Sequence, residues 1–135
     1  MEASPHERAI GEWALWIGAW VFVGCLVLQF FFVGLDVFEA LGESELHRDF
    51  AYTYGWLTPV LVLLAGLTGA PRRVLVAAVA LLVAFAIQTY LPLMAEGAPW
   101  IAAFHAVLAL VILWLAIRFA HLVGAIPEPS GTAGR

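Results

Sequence analysis

The sequence has no lysine, a single cysteine and few charged residues of either sign. Charged residues make up 12% of the 135 residues, whereas hydrophobic residues make up 64% and the mean hydropathy is +0.96. A soluble domain of this length needs more polar surface than that. The lone cysteine, Cys25, excludes an intrachain disulfide, and the net charge of −4 offers no basic surface for nucleic acid. The small share of charged residues and the high hydropathy favour a membrane protein.

Four long apolar stretches are present instead, at residues 13–35, 51–69, 74–95 and 98–117. Each approaches or exceeds the ~20 residues that an α-helix needs to cross a ~30 Å hydrocarbon layer. The runs are continuously apolar, without the two-residue alternation of a membrane β-barrel strand. Short connections favour antiparallel packing of helices that follow one another in the chain. We therefore predict an all-α integral membrane protein, an up-down-up-down four-helix bundle in a lipid bilayer.

The ends of the chain are more polar than its centre. We predict a polar lead-in at residues 1–12, a four-helix transmembrane domain at 13–123 and a flexible tail at 124–135. If the chain crosses the membrane four times, five of its six arginines fall on one side and only Arg48 falls on the other. Because positively charged loops stay in the cytoplasm, both termini are predicted to lie inside.

Two histidines stand near the start of predicted helices that run in the same direction. His47 precedes the second apolar segment, and His105 lies about two turns into the fourth helix. In such a bundle these two helices lie diagonally across the core, so the imidazoles are expected at similar depth. There they could clamp a planar group between them. Arg48 stands at the same membrane face, where a haem propionate would find a cation.

Helical spacing places further side chains beside the two histidines. Tyr54 shares a face with His47, and Ala102 and Ala109 share a face with His105. Alanine side chains leave a shallow slot beside the imidazole, wide enough for the edge of a porphyrin. The neighbourhood of the two histidines therefore allows a flat cofactor.

The same residues have a simpler interpretation without a cofactor. Small residues in membrane helices usually bring backbones together. His47 could be an interfacial residue at a helix start, and His105 could be an interior histidine that hydrogen-bonds a polar side chain. The candidates for that partner are Gln29, Gln88 and Tyr54. On this interpretation the protein is a cofactor-free accessory or structural membrane subunit.

A family resemblance is carried by three stretches, LHRDFAYTYGW, FAIQTYLP and PWIAAFHAVLALVI. They resemble small uncharacterised four-helix bacterial membrane proteins, which in turn look like one half of haem A synthase. The resemblance covers residues 46–113 and implies that His47 and His105 match axial haem ligands and that Gln88 matches a glutamine late in the third helix. The chain has one bundle where the enzyme has two and lacks an outer-loop cysteine pair, so haem A synthesis itself is not implied.

Three functions remain open from the sequence. The first is binding of one haem b, with His47 and His105 as the metal ligands, for electron transfer, haem handling or sensing beside a redox or membrane-protein partner. The second is the cofactor-free subunit. The third is a transporter or channel, which is disfavoured because no charged residue lies inside the first three segments away from their ends.

Further expectations concern a second haem, enzymatic activity and the location of the protein. His121, near the end of the last segment, has no histidine opposite it and is expected to be interfacial, so at most one haem is supported. No serine or cysteine stands in a plausible triad, which disfavours a hydrolase; whether the protein is an enzyme stays open, with a preference against it. The expected location is the bacterial inner membrane, as a multi-pass protein.

Overall fold

A computed structural model describes residues 5–38 and 45–125 of the chain. Over these residues the chain forms helices joined by turns and short irregular segments, without a β-strand. The α-helices are α1 Pro5–Val37, α2 Leu46–Gly55, α3 Leu57–Leu67, α4 Arg72–Tyr90, α5 Pro99–Ala102 and α6 Phe104–Gly124. A short 3₁₀-helix, Leu91–Met94, continues α4.

These helices combine into four segments that are long and apolar enough to cross a bilayer. They are span 1 His6–Val37, span 2 Leu46–Leu67, span 3 Arg72–Met94 and span 4 Pro99–Gly124. Their lengths of 22 to 32 residues exceed the ~20 that a bilayer requires. The predicted all-α architecture with four membrane helices is confirmed. The membrane face on which the termini lie stays a prediction.

The first helix starts earlier than the apolar pattern indicated. Because α1 begins at Pro5, residues 5–12 of the predicted lead-in are helical and continuous with span 1. Residues 1–4 of the lead-in, and residues 126–135 of the predicted tail, lie outside the described residues. The three domain boundaries stay predictions.

The spans pack around a common core in chain order. Span 1 contacts spans 2 and 4, and span 3 also contacts spans 2 and 4. Spans 2 and 4 therefore lie diagonally across the core. The largest fully buried apolar side chains are Phe22, Phe119, Leu15, Leu61, Leu81, Ile112 and Val74. Many large apolar side chains also cover the outer surface, which suits contact with lipid chains.

A tight turn reverses the chain between spans 2 and 3. Gly69 has a φ of 64°, a conformation that is costly for residues with a side chain. The N–H of Ala70 donates to the carbonyl of Ala65 at 3.1 Å, and that of Gly69 donates to the carbonyl of Gly66 at 3.2 Å. These two bonds form a Schellman motif, which satisfies carbonyls at the end of α3. Spans 2 and 3 can therefore pack antiparallel.

Span 2 is interrupted at Trp56, between α2 and α3. Pro59 has no N–H to bond the carbonyl of Gly55, four residues earlier. The hydroxyl of Thr58 donates to that carbonyl instead, at 2.9 Å. The interruption separates two packing roles: α2, which carries His47, packs mainly on α1, whereas α3 packs on both α1 and α4.

Candidate binding site

One polar side chain from each span joins a chain of contacts at one end of the bundle. We call these residues the polar cluster: Gln29 of α1, His47 of α2, Gln88 of α4 and His105 of α6. Polar groups inside membrane-spanning segments are costly unless they are paired, and such groups usually mark functional sites. The polar cluster is therefore the candidate site.

The ends of the helices bring these four residues to the same end of the bundle. His47 and His105 lie in the first turns of α2 and α6, and Gln88 lies in the last turn of α4. Gln29 lies roughly two turns before the end of α1. The antiparallel order of the spans places two helix starts beside two helix ends, which is why the cluster forms there.

Gln29 holds His47 by its side-chain amide. Its Nε2 donates to the backbone carbonyl of His47 at 2.8 Å. The same nitrogen lies 2.8 Å from Nδ1 of the imidazole and 3.5 Å from Nε2. A single amide group thus fixes both the backbone and the ring of His47 against α1.

Gln88 and His105 hold each other through two bonds. Nδ1 of His105 lies 3.0 Å from the backbone carbonyl of Gln88, to which it donates, and the Gln88 side-chain Nε2 donates to the His105 carbonyl at 2.9 Å. Since a carbonyl can only accept, Nδ1 carries the proton and Nε2 keeps its lone pair in the neutral ring. Gln88 was a predicted partner of His105, but the His105 ring bonds the backbone carbonyl of Gln88 rather than its side chain.

The rings of His47 and His105 meet across the diagonal of the bundle. Their centroids are 6.2 Å apart and their planes are inclined by 74°. A metal held by two imidazole nitrogens at ~2.0–2.1 Å each would separate the ring centres by roughly 6 Å. The structure therefore brings the two predicted ligands to a spacing that suits one metal centre.

An aromatic layer fills the core between the polar cluster and the rest of the bundle. Tyr54 is 6% exposed, and its ring centroid lies 5.7 Å from that of Phe22, 5.1 Å from Phe50 and 5.4 Å from Phe85. Tyr54 was predicted to share a face with His47, and it lies two turns further along α2 within this layer. Its place is thus below the cluster, where it helps to close the core.

Arg48 turns away from the polar cluster. Its guanidinium pairs with Glu45, one residue before α2, and with Asp49, at 3.2 Å from Oδ1. The Arg48 side chain is 52% exposed, so this pairing is on the surface. The predicted cation for a propionate is therefore already engaged by carboxylates of its own segment.

The two alanines of the predicted slot lie in span 4, as His105 does. Ala102 ends α5 and Ala109 lies in α6, and both are half-buried, whereas Ala103 between α5 and α6 is exposed. The slot that these two alanines were predicted to form stays a prediction. Neither alanine presents a polar atom, so their contribution would be space beside the imidazole.

Two buried oxygen atoms of the cluster have no hydrogen-bond partner, Oε1 of Gln29 and Oε1 of Gln88. Buried polar atoms are rarely left unpaired, and such exceptions call for an explanation. Gln29 was not among the predicted site residues, although a lone glutamine in a long apolar run is itself a signal. The structure adds it to the site.

Only two side chains of the cluster have ring nitrogens that bind metals. Among the described residues, no three or more His, Cys, Asp or Glu side chains are grouped so that they could hold a metal ion. A bare Zn²⁺ ion usually needs three or four protein ligands, whereas a haem brings four nitrogens of its own and needs at most two. The donor set therefore fits a haem better than a free metal ion.

Away from the cluster, an open groove of about 300 Å³ lies along α2, α3 and α4. The residues that line it include Gly55, Trp56, Phe85 and Ala86. It contains no histidine and no charged side chain. The groove therefore lacks the groups that make the polar cluster a candidate site.

The four apolar spans define the chain as a multi-pass membrane protein. Residues 29–95 match the model of DUF6220, a family of unknown function. The match covers about half of the chain and confirms the expected relation to an uncharacterised family. Gln29, His47 and Gln88 fall inside it, whereas His105 lies beyond it. No curated protein and no solved structure matches the chain. The resemblance to haem A synthase stays a prediction.

Proposed function

We propose that this protein binds one b-type haem between His47 and His105, in the bacterial inner membrane. The observation that carries the proposal is the 6.2 Å separation of the two imidazole centroids across the diagonal of the bundle. Two separate helices have to be set at matching depth and rotation for this to occur. A second haem lacks a comparable pair, since His121 lies at the opposite end of α6.

The hydrogen bond of the His105 ring supports the proposal. Histidines that bind metals usually donate their other ring N–H to a carbonyl or carboxylate, which fixes the ring. The Nδ1–H of His105 donates to the Gln88 carbonyl in this way, which leaves Nε2 as the available ligand. Gln29 holds the His47 ring from the side of α1. Both imidazoles are therefore held in place by neighbouring spans.

The protein would ligate the haem, orient it and exclude water from it. A haem held by both His47 and His105 would supply one-electron transfer rather than oxygen chemistry. The aromatic rings of Phe22, Tyr54 and Phe85 close the core beneath the site. One haem at one end of the bundle cannot pass electrons across the bilayer alone. We therefore expect a redox or haem-handling partner protein.

The alternative is a cofactor-free accessory subunit, and one observation favours it. Each histidine already has a hydrogen-bond partner on a neighbouring span. The polar cluster would then hold the helices together through hydrogen bonds, without a cofactor. In that role the histidines would specify how the spans pack. The two functions differ in whether the histidines bind a chromophore.

The test is an optical spectrum of the full chain, purified in detergent after expression with ample haem, first oxidised and then reduced. We expect a low-spin spectrum with sharp reduced bands. Both His47→Ala and His105→Ala should lose it, because each removes one of the two proposed ligands. His121→Ala is the matched control and should keep the spectrum, because His121 is exposed and contacts only the edge of the Trp20 ring among the described aromatic contacts.

Size-exclusion chromatography of the same variants separates loss of ligation from loss of folding. A colourless wild-type protein, or an unchanged spectrum in both histidine variants, would refute haem binding. The cofactor-free subunit would then be the better account.

A further inference from the structure

The two histidines differ in which ring nitrogen carries the proton. His105 donates from Nδ1 to the carbonyl of Gln88, so its Nε2 is an acceptor. His47 has the opposite arrangement, because Nδ1 faces the amide nitrogen of Gln29 at 2.8 Å. An amide nitrogen can only donate, so Nδ1 of His47 accepts and the proton of the neutral ring lies on Nε2.

The orientation of the Gln29 amide is set by a second bond. Its Nε2 also donates to the backbone carbonyl of His47, at 2.8 Å. If the amide turned over, Oε1 would face that carbonyl, and two acceptors would be placed together without a hydrogen. The cost of the observed orientation is that Oε1 of Gln29 is buried without a partner.

We propose that Gln29 is a positioning residue that holds His47 in the tautomer opposite to that of His105. In this arrangement Nε2 of His47 is a hydrogen-bond donor and Nε2 of His105 is an acceptor. The two imidazoles are therefore not equivalent as ligands. His105 is ready to bind a metal through Nε2, whereas His47 is not. Gln29 thereby controls when His47 becomes a ligand.

The consequence for ligation rests on the proposed haem function. For both rings to bind one iron through Nε2, His47 loses the proton on Nε2 and gains one on Nδ1, with no net change in charge. The new Nδ1–H needs an acceptor. Oε1 of Gln29 becomes that acceptor once the amide turns and releases the His47 carbonyl. The unpartnered oxygen of Gln29 thus acquires a function in the ligated state.

The first test does not involve haem. Nitrogen NMR of the full chain in detergent, with ¹⁵N-labelled histidine and assignment by single histidine substitutions, reports which ring nitrogen carries each proton. We expect the proton on Nε2 in His47 and on Nδ1 in His105. The same tautomer in both residues would overturn the proposal.

The variants Gln29→Glu and Gln88→Leu give a matched comparison. A carboxylate accepts hydrogen bonds, so Gln29→Glu should move the His47 proton to Nδ1 and leave His105 unchanged. Gln88→Leu removes a side chain but keeps the backbone carbonyl that holds His105, so neither tautomer should change. A His47 that keeps its proton on Nε2 in folded Gln29→Glu contradicts the proposal. If that variant does not fold, the wild-type measurement decides.

The second test measures haem affinity by titration of the haem-free protein. Partners of metal-bound histidines change metal affinity by roughly 10- to 100-fold, so Gln29→Glu should bind haem about tenfold more tightly than the wild type. Absence of binding in the wild type would refute the haem function, while the NMR result would still decide the role of Gln29. Wild-type binding without tightening in Gln29→Glu would refute only the control of ligation by Gln29.

Discussion

At the end of the bundle that holds the polar cluster, the spans meet through hydrogen bonds of half-buried side chains. The opposite end, which carries Arg72 and Arg118, is closed by apolar side chains. Leu15, Val74 and Phe119 from three different spans are at most 1% exposed there. The histidine end also contains the irregular backbone, with a 3₁₀-helix after α4 and an interruption of span 4 at Ala103.

This contrast indicates that the two ends of the bundle have different roles. The arginine end has buried apolar side chains that fix helix positions, since close-packed apolar side chains tolerate little displacement. The histidine end contains the polar groups that the proposed haem would need. Functional groups are often supported in this way, by rigid elements that hold their positions. Three substitutions at or near the histidine end test this difference between the two ends.

Filling the alanine slot should have the largest effect. If a flat cofactor lies against span 4, Ala102→Leu and Ala109→Leu should expel it, because the added side chains occupy its space. Ala103→Leu is the control, since Ala103 is exposed and its new side chain points elsewhere. The haem content of each purified variant is the measurement. Equal tolerance at all three positions would indicate an ordinary helix interface instead.

Crowding the aromatic layer should have an intermediate effect. A Cβ atom at Gly55 would lie 2.6 Å from Cε1 of Phe85, whose ring is packed against Tyr54. Overpacking of this kind typically costs about 1–3 kcal/mol, so Gly55→Ala should destabilise the fold. Gly24→Ala should not, because nothing lies within 4 Å of the added methyl group. Equilibrium unfolding in detergent compares the two, and equal stabilities would show that the layer is loosely packed.

Removing the surface arginine should have the smallest effect. Arg48 is exposed and pairs with Glu45 and Asp49, and exposed ion pairs contribute little to stability. Arg48→Ala should therefore retain haem, with at most a slight weakening. Any weakening should shrink at high salt, because salt screens exposed charges. Haem titration at two salt concentrations measures this, and complete loss of haem would place Arg48 in the site after all.

The sequence predicted the four spans well because a membrane helix is a local feature. Its length and apolarity are properties of a single stretch of about 20 residues. The prediction that His47 and His105 lie close together also needed only antiparallel order and helix starts at one face. The helix α1 begins at Pro5, inside the predicted lead-in, because charged side chains such as Glu7 and Arg8 interrupt an apolar pattern without ending a helix.

The polar partners could not be predicted in the same way. Gln29 was left outside the predicted site, Arg48 pairs with its own segment, and Tyr54 belongs to the aromatic layer. In helices that are apolar on every side, hydrophobic periodicity does not show which face is buried. The rotation of each helix is then set by the fit of side chains such as Phe22 and Phe85.

The sequence by itself therefore determined the class of the protein, since four long apolar segments with few charges are typical of helices that cross a bilayer. It also determined which end of the bundle carries the histidines. The tertiary structure alone decided that the Gln29 side chain meets the ring of His47 and that the Gln88 backbone carbonyl meets the ring of His105. Hydrogen bonds between spans depend on distances of a few tenths of an ångström, and only the packing of all four helices fixes those distances.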